Sequence, residues 1–219
     1  MKTIKSLAQV WVFVLLAGCA AFNTGSQVQS GRRALLVNDP ELALPYFLQA
    51  AQADPNYIYQ SVNFREGIWT YVGRTQYATK RYAEARQSLE RALSLDPNDQ
   101  LARLYLGLTL VRTDDRARGI KEIRSAMRGL YDWLEFINRS RPFEAYWDPL
   151  REIRKAIEIH LDSGPGNDAV NSEQLIPDAE WLGNKMEDEI ERVRQDERRQ
   201  YERNFDGRRG SSFGLGIGF

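Results

Sequence analysis

Apolar residues recur at three- or four-residue steps along most of the chain, the spacing of a single buried helical face. In residues 67–97, Trp69, Val72 and Gly73 share one face and Tyr82, Ala85, Leu89 and Ala92 share the next. Pro97, which cannot continue a helix, ends the unit. The pattern returns 34 residues later: Leu106 and Gly107 take the places of Val72 and Gly73, and Gly119, Ile123 and Ala126 those of Ala85, Leu89 and Ala92. Upstream, Gly31 fits a first helix, and Ala43, Phe47, Ala50 and Pro55 fit a second. Pro40 suits the first turn after Asp39, while Pro45 predicts a kink. Three units of fixed period predict a helical solenoid, with small residues such as Gly73 and Ala85 where two helices cross. Pro55 and Pro97 lie 42 residues apart rather than 34, and the eight extra residues around IYQSVNFR, about two helical turns, predict a longer first helix there.

Beyond the repeats, residues 141–161 read as one amphipathic capping helix, with Phe143, Trp147, Leu150, Ile153, Ile157 and Leu161 on its apolar side and Trp133 and Phe136 packed beneath. Residues 162–176, opening on Ser163-Gly164-Pro165-Gly166, read as a linker. A charged amphipathic helix over 177–206 follows, with Leu182, Met186, Ile190 and Val193 as its stripe. The stripe thins to Tyr201 and Phe205, which suits partial docking on the array better than self-pairing or a solvated rod. Residues 207–219 form a Gly-rich tail.

The second unit, GIWTYVGRTQYATKRYAEARQSLERALSLDP, closely resembles the tetratricopeptide repeat, a pair of antiparallel helices. The resemblance implies an all-α, right-handed solenoid of about three helix pairs over 27–161, with first helices lining a concave groove. Mapped onto this chain, the groove shows Thr70, Tyr71, Arg74 and Tyr77, then Leu104, Tyr105, Leu108 and Arg112. Relatives that clamp a C-terminal carboxylate carry Lys and Asn at matching positions, where this chain has Thr70 and Arg74. Tyr71, Arg74, Tyr77, Tyr105, Leu108 and Arg112 are the candidate partner-binding residues, because aromatic and Arg side chains dominate binding hot spots. The alternative is that the last helix fills the groove.

The N-terminus, MKTIKSLAQVWVFVLLAGCA, has the layout of a secretory signal: Lys2 and Lys5, an apolar run, then small residues. Leu16-Ala17-Gly18-Cys19 resembles the lipobox of bacterial lipoproteins. That implies a signal over 1–18, a diacylglyceryl group on the Cys19 thiol and a tether over 19–26; several acyl chains give a stable anchor where one gives a marginal one. Ala20, rather than Asp, implies the periplasmic face of the outer membrane.

Composition narrows the chemistry. Thirty basic and 30 acidic residues cancel, and without Lys2 and Lys5 the chain is slightly acidic, which argues against nucleic acid. One cysteine forms no internal disulfide, and one histidine, His160, makes no Cys/His metal site. There is no phosphate loop, so no cofactor, metal or catalysis is expected. The expected function is a lipid-anchored periplasmic adaptor in an envelope complex, binding a protein or peptide partner. A pilotin-like or outer-membrane-protein assembly lipoprotein is the second reading, and a homo-oligomer built through the 177–206 helix is the third. In SSFGLGIGF, Phe213, Leu215, Ile217 and Phe219 alternate with glycine, so an extended strand puts all four on one face. This resembles the C-terminal signal of outer-membrane barrel proteins and implies a strand donor.

Overall fold

The computed structural model describes residues 24–61, 63–113, 115–140, 147–161 and 168–210. The expected signal, Cys19 and the Phe213–Phe219 tail therefore lie outside the described residues. Three helix pairs lead the chain: α1 over 24–36 with α2 (Pro40–Ala53), α3 (Ile68–Ala78) with α4 (Tyr82–Leu95), and α5 (Gln100–Arg112) with α6 (Arg116–Ser140). The fold is an all-α solenoid carrying one small insertion.

Two local devices recur in every pair, and side-chain caps support three of the six helices: Asp39 accepts from Leu42 N at 3.0 Å, Asp99 from Ala102 N at 2.9 Å and Asp115 from Arg118 N at 3.2 Å. A backbone bond reaching back five residues closes every intra-pair turn, Asp39 N to Ala34 O, Arg81 N to Gln76 O and Asp115 N to Leu110 O. Asn38 and Lys80 take the left-handed φ that such turns need, at 56° and 61°. A glycine then admits a large side chain 16 residues later. A Cβ would meet Phe47 Cε1 at 2.6 Å from Gly31, Leu89 Cγ at 2.5 Å from Gly73, and Ile123 Cγ1 at 2.8 Å from Gly107. Gly107 and Gly119, the counterparts of Gly73 and Ala85, also meet backbone to backbone. This shared register makes 24–53 a true first unit.

The eight extra residues do not lengthen α3. They form an antiparallel hairpin, β1 (Ile58–Ser61) and β2 (Phe64–Gly67), with Ser61 opposite Phe64 and Ile58 opposite Gly67. Tyr59, Ser61, Phe64 and Glu66 turn inward while Ile58, Gln60 and Arg65 face out. The local sequence alternates with period two and is poor in helix formers. Asn63, at φ 65°, supplies the turn.

The cap also departs from expectation. Within the described part of 141–161, residues 147–151 are not helical and α7 spans Glu152–Leu161, while Phe143 lies outside the described residues. Pro149 disfavours helix in the residue before it. Asp148 and Arg151 both have positive φ, and the Asp148 carboxylate caps α7 by accepting from Ile153 N and Arg154 N, each at 3.0 Å. Trp147, Ile153 and Ile157 are fully buried, but the break turns Leu150 out to solvent. Trp133 packs edge-on to Trp147 at 4.9 Å as expected beneath the cap, whereas Phe136 points outward. Phe64 completes this aromatic group, 5.6 Å from Trp133 and 5.8 Å from Trp147, so the hairpin and the cap share one core.

The final helix, α8, spans Asp168–Gly210 rather than 177–206, so the linker is shorter than 162–176 and Pro177 sits inside the helix. Leu175 and Ala179, both fully buried, seat the chain on either side of that proline. His160 Nε2 meets Asp178 Oδ2 at 2.7 Å from α7.

Candidate functional site: an inner groove closed by the last helix

The first helices α1, α3 and α5 line one inner face, and α8 lies along it. Leu175, Ala179, Leu182, Met186, Ile190 and Val193 recur at steps of three and four, and none is more than 3% exposed. Fully burying an aliphatic side chain stabilises by about 1.5–3 kcal/mol, which explains why this stripe docks. Past Arg194 the side chains become mostly exposed; Tyr201 is 73% exposed. The groove is therefore filled, the stripe docks on the array as its spacing suggests, and the residues that the third reading would use to pair two copies are buried within one chain.

Five of the six candidate groove residues are buried in the closed array, and Arg112, at its edge, keeps a side chain 43% exposed. Tyr71 is fully buried and stacks on Phe47 at 4.9 Å. Leu108 is fully buried as well. Tyr105 lies under Gly183, whose missing Cβ would meet the ring at 2.7 Å from Cζ, so glycine lets α8 approach. Tyr77 donates its hydroxyl to Glu180, and Arg112 Nη2 reaches the same carboxylate at 2.7 Å. Arg74 bonds Glu187 and lies 3.3 Å from Glu66, with its guanidinium 4.8 Å above the Tyr71 ring. Thr70 and Leu104, also in the groove set, are fully buried; Thr70 donates to Asp99 Oδ2 at 2.6 Å.

Sequence reasoning missed three members of this cluster: Arg32, Glu66 and Glu187. Arg32 Nε donates to Glu187 Oε1 at 2.9 Å, and Nη1 donates to the Tyr59 hydroxyl at 2.7 Å. A signal for it exists, since Arg32 follows Gly31 as Arg74 follows Gly73. Glu66 carries no such mark, because it comes from the inserted hairpin. Two arginines thus share Glu187, with Glu191 3.7 Å from Arg32. Burial pushes the Glu66 carboxyl up to about 8, and the nearby Glu187 charge adds to this against the pull of Arg74.

A pocket of about 220 Å³ lies beside the hairpin, between Tyr57, Ile58, Trp69 and Leu95. The carboxylates on its wall are already engaged. Asp99 caps α5 and accepts from Thr70, Asp96 accepts from Asn98 N at 2.9 Å, and Glu66 faces Arg74. Among the described residues no group of three or more His, Cys, Asp or Glu is placed to hold a metal. No helix among them is long and apolar enough to cross a membrane.

No curated protein matches this chain. The family model described as Tetratricopeptide repeat matches residues 67–99, which are the end of the hairpin, α3, α4 and the turn into α5. The chain thus carries a tetratricopeptide repeat, a protein–protein interaction module, between two further helix pairs built on the same glycine register.

Proposed function

We propose that the protein is a lipid-anchored adaptor on the periplasmic face of a bacterial outer membrane, holding a protein partner within an envelope complex. The observation that carries the reading is the three-unit repeat array, whose matched unit belongs to a class of protein-binding modules. The anchor rests on Leu16-Ala17-Gly18-Cys19 at the end of an apolar run. Crosslinking in intact cells, followed by identification of the captured protein, tests the adaptor; capture of no envelope protein overturns it. Replacing Cys19 with Ser tests the anchor. The variant precursor stays uncleaved at this site and leaves the acylated membrane fraction, and normal processing with full membrane retention refutes the lipid.

A second reading, assembly of outer-membrane barrels or secretins, is favoured by the alternation of Phe213, Leu215, Ile217 and Phe219 with glycine. Such a tail suits strand addition to the open sheet edge of a partner. Deleting residues 211–219 then abolishes one envelope interaction while the array keeps its stability. Retention of every partner argues against this reading.

A further inference from the structure

We infer that α8 is a built-in occupant of the groove, and that the adaptor's partner presents a second acidic amphipathic helix that replaces it. This rests on the adaptor reading above and adds the chemistry of the partner.

The seat of α8 reads a definite pattern. Glu180 meets Tyr77 and Arg112, Glu187 meets Arg74 and Arg32, and Glu191 approaches Arg32. Leu182, Met186 and Ile190 fill the apolar floor between these carboxylates. Gly183 clears the Tyr105 ring. A fitting helix therefore needs carboxylates seven residues apart, a glycine three residues after the first, and an apolar stripe at steps of three and four.

The same cations reject other helices. Arg32 and Arg74 are no more than 4% exposed, and a helix without the acids leaves Arg32 buried with no carboxylate and Arg74 with Glu66 alone. The pairs fix register more than they add grip, since desolvation of a buried ion pair largely offsets its attraction. The contact between α8 and the array sets two buried arginines and their carboxylates beside a fully buried apolar stripe. One flank is also unsealed. A crevice of about 270 Å³ runs between Leu35, Leu36 and Pro40 on the first unit and Gly183, Asn184 and Asp188 on α8.

A helix on the same chain acts at an effective concentration in the millimolar range, so a free helix competes poorly until the resident one is unseated. The test uses the full-length protein and a fluorescent synthetic peptide of residues 174–203. The parent binds the peptide weakly. Gly183→Leu drives a side chain into Tyr105 and unseats the resident helix, so the parent-sequence peptide binds this variant at least about tenfold tighter. A peptide carrying Glu187→Arg binds neither chain. Equal peptide binding by parent and variant, or equal binding of the Glu187→Arg peptide, overturns the proposal.

Where Gly183→Leu loses its helical circular dichroism, Glu187→Gln carries the same comparison. Unfolding of both variants shows that α8 is an inseparable part of the core and overturns the proposal. Parent dimers with α8 exchanged between copies assign the groove to a second copy and overturn it as well. In-cell crosslinking separates the two readings. Peptide binding without any captured envelope protein leaves the helix recognition standing and removes the adaptor. Capture left unchanged by Gly183→Leu, with no gain in peptide binding, places the adaptor's contact on another face and removes the helix recognition.

Discussion

Gly107 offers a test in which the sign of the effect decides. In an unconstrained helix interior, Gly→Ala stabilises by about 0.8–1 kcal/mol through backbone entropy. At Gly107 a Cβ would lie 2.8 Å from Gly119 O, Ile123 N and Ile123 Cγ1. Two of these three atoms are backbone, so no rotamer change relieves the contact. Carbon contacts settle at about 3.5–4.0 Å, so α5 and α6 must separate by roughly 1 Å. Overpacking of this kind costs about 1–3 kcal/mol. After the propensity gain is deducted, Gly107→Ala is expected to lose about 1 kcal/mol, and Gly107→Leu, with three more carbons and nowhere to place them, clearly more. Gly73→Ala makes the internal comparison. Its closest neighbours are Leu89 Cγ at 2.5 Å and Cδ2 at 2.7 Å, a side chain that can turn, with backbone only at 3.3 Å. Urea titration followed by far-ultraviolet circular dichroism should therefore rank the variants parent, Gly73→Ala, Gly107→Ala, Gly107→Leu. A Gly107→Ala protein more stable than the parent by the full propensity gain would refute the helix crossing.

The double variant Tyr71→Ala/Arg74→Ala removes a fully buried ring and the cation between two carboxylates, so it should destabilise the whole array by several kcal/mol, read as a lower urea midpoint, rather than erase a surface. Glu66 has a folded pKa of about 8 against an ordinary 4.5, so its contribution to stability is complete below about pH 4.5 and is lost as pH rises to about 8. Glu66→Gln should flatten that decline in urea midpoints measured between pH 5 and pH 8; profiles that run parallel to the parent's contradict the burial argument. Trp147→Ala should cost about 3–5 kcal/mol, because Trp147 is fully buried against Trp133 and Phe64, and an unchanged midpoint would detach the cap from the hairpin.

The helix pairs are legible because the small and apolar positions of one unit return 34 residues later in the next, a signal that depends only on contacts within a unit. The structure adds the 16-residue spacing from Gly31 to Phe47 and from Gly73 to Leu89. The hairpin is hidden in the sequence because its eight residues equal about two helical turns, and the alternation of Tyr59, Ser61, Phe64 and Glu66 is too short to stand out against that length. The start of the cap helix is hidden as well, because its apolar residues keep helical steps across Pro149 while the backbone takes positive φ at Asp148 and Arg151. The groove residues were located correctly and their exposure was not. Repeat position fixes which way Tyr71 or Leu108 points, but what covers them comes from a helix roughly a hundred residues away. Arg32 and Glu187 meet for the same reason only in the folded chain.

Those long-range contacts alter how the protein folds. An open solenoid is quasi-one-dimensional: each repeat touches only its neighbours, and the ends fray independently of the middle. Here Arg32 bonds a carboxylate 155 residues away, and Arg194 Nη1 bonds Gln29 Oε1 at 2.7 Å across 165 residues. The first and last helices are joined, so the stack behaves as a closed unit whose contact order is far above that of its local pairs. Helix pairs form quickly from nearby residues, while the first unit gains its final stability only when α8 arrives. Exchange of α1 amides should then follow the docking of α8, and the terminus that would melt first in an open stack melts with the whole.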